Sequence, residues 1–98
     1  MRTEFSPQAL ADLDAIALYI ARDDPDTALA WADKLVDRAE RAARAPRGGR
    51  IVPEWGDPDI REVFLKAYRI IYRIEATRIL VLTVFEGHHR LRLQPPQR

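Results

Sequence analysis

The apolar residues of this chain change their spacing once, and that change constrains the fold more than any other feature. Before Pro46 they recur at intervals of three and four, the repeat of a helix with one buried face. After Ile60 they alternate or run together, the repeat of β-strands. Pro46, Gly48, Gly49, Pro53, Gly56 and Pro58 punctuate the interval, which also offers Ile51, Val52 and Trp55 for packing. A helical half joined to a stranded half within 98 residues reads as one α+β domain spanning 1–98, with an irregular tail from about residue 92.

Each half can be read more finely. Residues Arg2–Phe5 are short and extended, and Ser6-Pro7 opens a helix with a good capping residue and a proline at its first position. Leu10, Leu13, Ile16, Ala17 and Ile20 make its stripe, and Asp12 and Asp14 lie near its positive end. Asp24-Pro25 opens a second helix by the same device. Its stripe is Leu29, Ala32, Val36, Ala39 and Ala43, flanked by Trp31 and Leu35, with Arg38, Arg41 and Arg44 at its carbonyl end. A turn this short makes the two helices an antiparallel hairpin. Strands follow at 60–65, 68–75 and 78–85, turning at Lys66-Ala67 and Ala76-Thr77. The expected architecture is an N-terminal strand and helical hairpin packed on a small antiparallel sheet, in the order β-α-α-β-β-β.

Composition removes several chemistries. With no cysteine there are no disulfides, thiol nucleophiles or cysteine zinc sites. A formal net charge of +1 makes no overall case for nucleic-acid or membrane binding. The charge is unevenly placed, however: residues 1–45 carry 6 basic and 9 acidic side chains, residues 46–98 carry 10 and 6. The sequence shows neither the apolar core of a signal peptide nor a run of about 18 apolar residues, so a cytoplasmic protein is expected.

The candidate functional residues lie in the basic half. If Tyr68, Ile70, Tyr72 and Ile74 face the helices, the opposite sheet face displays Arg69, Ile71 and Arg73 beside Glu62 and Lys66. His88, His89, Arg90 and Arg92 leave the last strand nearby. Such cations and imidazoles suit a phosphate or an acidic partner surface; alternating arginines equally suit a sheet face kept soluble. Adjacent histidines diverge on an extended chain, and no HExxH is present, so no metal site is implied. The Arg38, Arg41, Arg44, Arg47 and Arg50 series leaves its helix after Arg44 and reads as a solvated, dipole-matched helix end. Asp23, Asp24 and Asp26 lack the glycine pivot and terminal glutamate of a calcium loop and read as a turn with caps. No phosphate-binding glycine loop, GxSxG or dinucleotide fingerprint occurs, and no cofactor is implied.

Taken in order, several segments resemble the RelE/ParE superfamily of toxins from type II toxin–antitoxin modules. They are Phe5-Ser6-Pro7 before ALADLDAIALYI, the Asp24-Pro25 turn, Arg44-Ala45-Pro46, Arg47-Gly48-Gly49-Arg50 and Gly56-Asp57-Pro58-Asp59-Ile60-Arg61-Glu62. Tyr68-Arg69-Ile70-Ile71-Tyr72-Arg73-Ile74 and Gly87-His88-His89-Arg90 complete the pattern. The resemblance implies a growth-arresting toxin neutralised by a cognate antitoxin, ParD-like or other, in a hetero-oligomer. One branch of the superfamily cuts mRNA on the ribosome; the other poisons DNA gyrase. Arg69 matches the arginine of the nuclease branch's Tyr-Arg pair, and His89 or Arg90 falls at a basic position after its last strand. The 61–65 segment lacks that branch's lysines, and no tyrosine follows Tyr72. The resemblance therefore favours a ParE-like gyrase inhibitor acting by protein contact, with Arg69, Arg73, His88, His89, Arg90 and Arg92 on the target. Such an inhibitor is not an enzyme. The alternatives are a metal-independent endoribonuclease using Arg69, Arg73, His89 and Arg90, or an inactive homologue that binds antitoxin alone. Leu18, Tyr19 and Trp31, off the main stripes, are the expected antitoxin contacts.

Overall fold

A computed structural model describes residues 1–87. The expectations placed on His88, His89, Arg90 and Arg92, and on the tail, lie outside these residues. The chain runs β1 (Arg2–Phe5), α1 (Pro7–Ala21), α2 (Pro25–Arg44), a 3₁₀ turn (Pro46–Gly48), β2 (Arg50–Ile51), β3 (Ile60–Leu65), β4 (Tyr68–Ile74) and β5 (Arg78–Glu86). The expected α+β order is present, with one strand more than the sequence suggested.

Local chemistry sets the helix starts. The Ser6 hydroxyl accepts from the Ala9 amide at 3.0 Å and donates to the Leu82 carbonyl at 2.9 Å, so one side chain caps α1 and ties it to β5. The Asp24 carboxylate accepts from the Thr27 amide and hydroxyl at 3.2 and 2.6 Å, and these bonds hold it below the usual aspartate range. Pro25 makes Asp24 extended, which separates the helices.

The strands form one sheet in the order β1-β5-β4-β3-β2. Three contacts are antiparallel, but β1 lies parallel to β5, Arg2 opposite Arg78 and Phe5 opposite Val81. The sheet is therefore mixed rather than wholly antiparallel. A parallel pair needs a long crossover, and here the helical hairpin supplies most of it. The β3–β4 hairpin turns at Lys66-Ala67, where Lys66 takes a φ of 53°. Between Ile71 and Tyr72 the β4–β5 register slips by one residue, so β5 sends Ile79, Val81 and then Val84 to the helix side.

On the helix side the core joins Ala9, Leu35, Ala39, Ala42 and Ala43 to Val63, Ile70, Tyr72, Ile79, Val81 and Val84. The expected stripes are inward in part: Ala39 and Ala43 are buried and Leu13 and Ile16 pack on the core, with Leu35 and Ala42 beside them. Leu10 and Leu29 stand in solvent, while Ala9 and Ala28 are inward, because small residues let the helix backbones come close to the sheet. Asp12 serves the strands rather than the dipole: one of its oxygens accepts from the Thr83 hydroxyl at 2.5 Å and the Val84 amide at 3.0 Å.

The other sheet face is covered too, contrary to the open, arginine-lined face expected from alternation. Val52, Ile60 and Ile71 form a second cluster there, with Trp55, Leu82 and Phe85 against it. The Pro/Gly-rich loop after β2 folds over this face, and the Gly56 amide donates to the Val52 carbonyl at 2.9 Å. Gly56, with a φ of 65°, allows that turn.

Candidate functional site

Two places on the molecule concentrate the chemistry. The first lies under the loop on the far face. Arg69 and Phe64 are cross-strand neighbours, so Glu62, two residues back on β3, sits diagonally beside Arg69 on the same face; Arg50 of β2 lies opposite Glu62. The Arg69 Nε donates to Glu62 at 2.6 Å, and its two terminal nitrogens grip both oxygens of Glu54 at 2.8 and 2.9 Å. Arg50 Nε donates to the second Glu62 oxygen at 2.5 Å. Two cations and two carboxylates thus close on one another. The Phe85 ring lies 5.2 Å below the Arg69 guanidinium, and a Cβ on Gly87 would meet the Arg69 Cγ at 3.4 Å.

Arg69 is 5% exposed. The Glu54 bonds, then those of Glu62, outweigh its desolvation and push its pKa up; the same Arg69 bonds hold the Glu54 carboxyl below the usual range. This arginine was expected on a displayed face, and the structure instead places it inside a neutral quartet. Arg73 is not brought to it. Arg73 turns to Glu75, donating at 2.9 and 2.7 Å, and Glu75 also accepts from Arg78 at 2.5 Å. Arg78 reaches on to Glu4. These bonds, Arg78 first and Arg73 second, lower the Glu75 pKa. The two arginines thus belong to separate ion-paired groups. Among the described residues, no group of three or more His, Asp or Glu could hold a metal ion.

The second place is a groove of about 350 Å³ between α1 and the end of β5, lined by Asp12, Ile16, Tyr19, Tyr68, Val84 and Phe85 among others. Tyr19 is 66% exposed and Leu18, beside it in sequence, 71%. Trp31 of α2 packs on Tyr68 with ring centroids 5.8 Å apart, and burial raises the Tyr68 pKa. The three expected contacts therefore divide: Leu18 and Tyr19 are open, while Trp31 is half-buried against the rim. Reading from the sequence missed Tyr68 and Phe85 as groove walls and Glu54 as the partner of Arg69. The Glu62–Arg69 diagonal was recoverable from the two-residue turn; the Glu54 contact depends on a loop path that no periodicity reports.

A mixed sheet with a helical hairpin on one face and an alanine-rich helix packing defines a small α+β domain. The chain belongs to the family described as the ParE toxin of type II toxin-antitoxin system, parDE, whose model matches residues 3–91. A solved structure described as the chromosomal ParDE TA system from P. aeruginosa superposes with a TM-score of 0.72 at 24% identity, covering 88% of this chain and 95% of that one. A search of curated proteins finds no match. Among the described residues, no helix is long and apolar enough to cross a membrane.

Proposed function

We propose that this toxin is neutralised by a ParD-like antitoxin and acts on DNA gyrase by protein contact rather than by cutting RNA. The observation that carries the reading is that the candidate nuclease cations do not converge. A nuclease that works without a metal needs several cations placed together on the scissile phosphate, and here Arg73 is held by Glu75 in a separate group from Arg69, while the 61–65 segment has no lysine to replace it. Gyrase contact places no such demand on them. The test compares the two targets directly. Purified chain added to gyrase is expected to reduce supercoiling or raise trapped DNA cleavage, and to leave ribosome-bound mRNA intact. Cleaved mRNA with unaffected gyrase would overturn the reading.

The antitoxin site proposed here is the groove together with Leu18 and Tyr19. A largely apolar groove with the exposed Tyr19 in its wall, and the exposed Leu18 next to Tyr19 in sequence, fits the apolar stripe of an amphipathic segment. Tyr19→Ala is expected to change the chain's own stability by less than about 0.5 kcal/mol, while weakening antitoxin binding about tenfold or more, as for a buried aromatic anchor. Titration calorimetry of the variant against its cognate antitoxin checks this, and unchanged affinity would remove Tyr19 from the interface.

A further inference from the structure

The two carboxylates bound by Arg69 differ in kind. Glu62 lies within the sheet with a side chain 0% exposed, whereas the Glu54 side chain is 40% exposed and sits on the loop between Val52 and Trp55. Glu54 contributes a planar pair of oxygens to both terminal nitrogens of a guanidinium, and this fork-to-fork geometry is the one by which arginine recognises carboxylates and phosphates from solution. It occupies the solvent end of the fork.

We infer that Arg69 is the base of a masked oxyanion site, and that Glu54 is its built-in occupant, displaceable by a phosphate or carboxylate group brought in from outside. The fork does not depend on Glu54 for its aim. Its Nε is fixed by Glu62 at 2.6 Å, its plane is supported by the Phe85 ring at 5.2 Å, and Gly87 borders its stem. With Glu54 withdrawn, Arg50 and Arg69 exceed Glu62 by one positive charge, so the emptied fork attracts an anion and is not neutralised from within. A tethered carboxylate competes at an effective concentration of about millimolar or more. Dilute free anions therefore leave the wild-type latch closed. A group held against the loop by a docked partner competes on equal terms. The site is a property of the chain itself and does not rest on which target the toxin has.

The test uses the full chain as wild type and as Glu54→Ala, with the Arg69 Nε–H resonance followed by nuclear magnetic resonance. Sodium phosphate, sodium acetate and sodium chloride are titrated at matched ionic strength. In Glu54→Ala, phosphate or acetate is expected to shift the Arg69 signal with an apparent affinity about tenfold or more tighter than in wild type. A response to phosphate alone assigns the site to phosphate groups, a response to acetate alone to carboxylates, and a response to both to oxyanions generally. The proposal is overturned if chloride reproduces the shift, or if Glu54→Ala and wild type respond alike. Should Glu54→Ala fail to fold, Glu54→Gln serves the same purpose, because an amide offers a single acceptor oxygen where the fork needs two. An unmoved Arg69 resonance in the folded Gln variant would equally refute the site.

Discussion

The two faces of the sheet are filled by different means. Toward the helices, alanines of α1 and α2 lie on Val63, Ile70, Tyr72, Ile79, Val81 and Val84, and the packing is almost wholly apolar. Toward the loop, a smaller cluster of Val52, Ile60 and Ile71 is completed by the Arg50–Glu62–Arg69–Glu54 quartet. Two helices bring enough apolar surface to cover a sheet face, and a short loop does not. The remainder of the far face is therefore closed by charges that satisfy one another. Apolar burial is tolerant of small shifts, because it has no direction. Buried ion pairs add little net stability yet cost much when one member is removed, so they fix geometry more than they add free energy.

That contrast predicts the largest effects. Glu62→Ala leaves Arg69 buried beside an emptied position and is expected to cost about 3–5 kcal/mol. Leu35→Ala, on the helix side at 1% exposure, is expected to cost a similar amount, about 2–5 kcal/mol, through a cavity. Rescue separates the two causes. The double variant Glu62→Leu with Arg69→Met replaces the pair by apolar volume and is expected to recover most of the loss, as ion pairs exchanged for packed apolar residues do. Urea denaturation of the three variants reads this out. A double variant as unstable as Glu62→Ala would mean that the far face depends on charge itself.

A second prediction concerns the hinge where both faces meet. Tyr72 is in the helix-side core, yet its hydroxyl donates to the Pro46 carbonyl at 2.5 Å, anchoring the chain as it leaves α2. Gly49 passes directly over that hydroxyl. A Cβ there would press on Tyr72 and lie 2.8 Å from the Glu62 carbonyl oxygen, so backbone as well as side chain must move. Gly49→Ala is expected to cost about 1–3 kcal/mol, as overpacking does, and to loosen β2 together with the quartet. Hydrogen exchange at the Val52 amide, which donates to the Ile60 carbonyl, would report the loosening.

A smaller loss belongs to the helix side alone. Ser6→Ala removes the α1 cap and the bond to the Leu82 carbonyl, and about 1 kcal/mol is expected from thermal unfolding. A loss several times larger would show that the tie to β5, rather than the cap, dominates.

The same division explains what the sequence discloses. Helix starts at Ser6-Pro7 and Asp24-Pro25, the Lys66-Ala67 turn and the inward Tyr68–Ile74 alternation follow from local rules, and the structure agrees with each. The parallel pairing of β1 was hidden because a four-residue strand carries no mark of its neighbour's direction. The inward rotation of α2 was hidden because Ala28 and Leu29 score alike in a stripe, and only the closeness of the sheet chooses the smaller. At the candidate site, Arg69 was legible as a chemically capable residue, but its confinement was not. An alternating arginine looks solvated until a loop 15 positions upstream brings down a carboxylate, a long-range placement that strand periodicity does not encode.

The smallest effect on stability is also the one that isolates the loop side. Glu54 has its pKa lowered in the folded protein, chiefly by its hydrogen bonds to Arg69. A lowered folded value means that the ionised form favours folding. The contribution is fully present above the ordinary glutamate value of 4.5 and is lost as pH falls through the lower folded value. Because the side chain is 40% exposed, water and salt screen the pair, and the effect is expected below about 1 kcal/mol. Glu54→Gln should therefore unfold at a slightly lower urea concentration than wild type at pH 7, with the gap narrowing as both are taken from pH 5 toward pH 3. The helix-side variant Leu35→Ala carries no titrating group into its cavity, so its gap from wild type should stay constant over the same interval. If the Glu54→Gln gap also stayed constant, the carboxylate would hold the loop through packing rather than charge, and the two faces would differ less than their residues suggest.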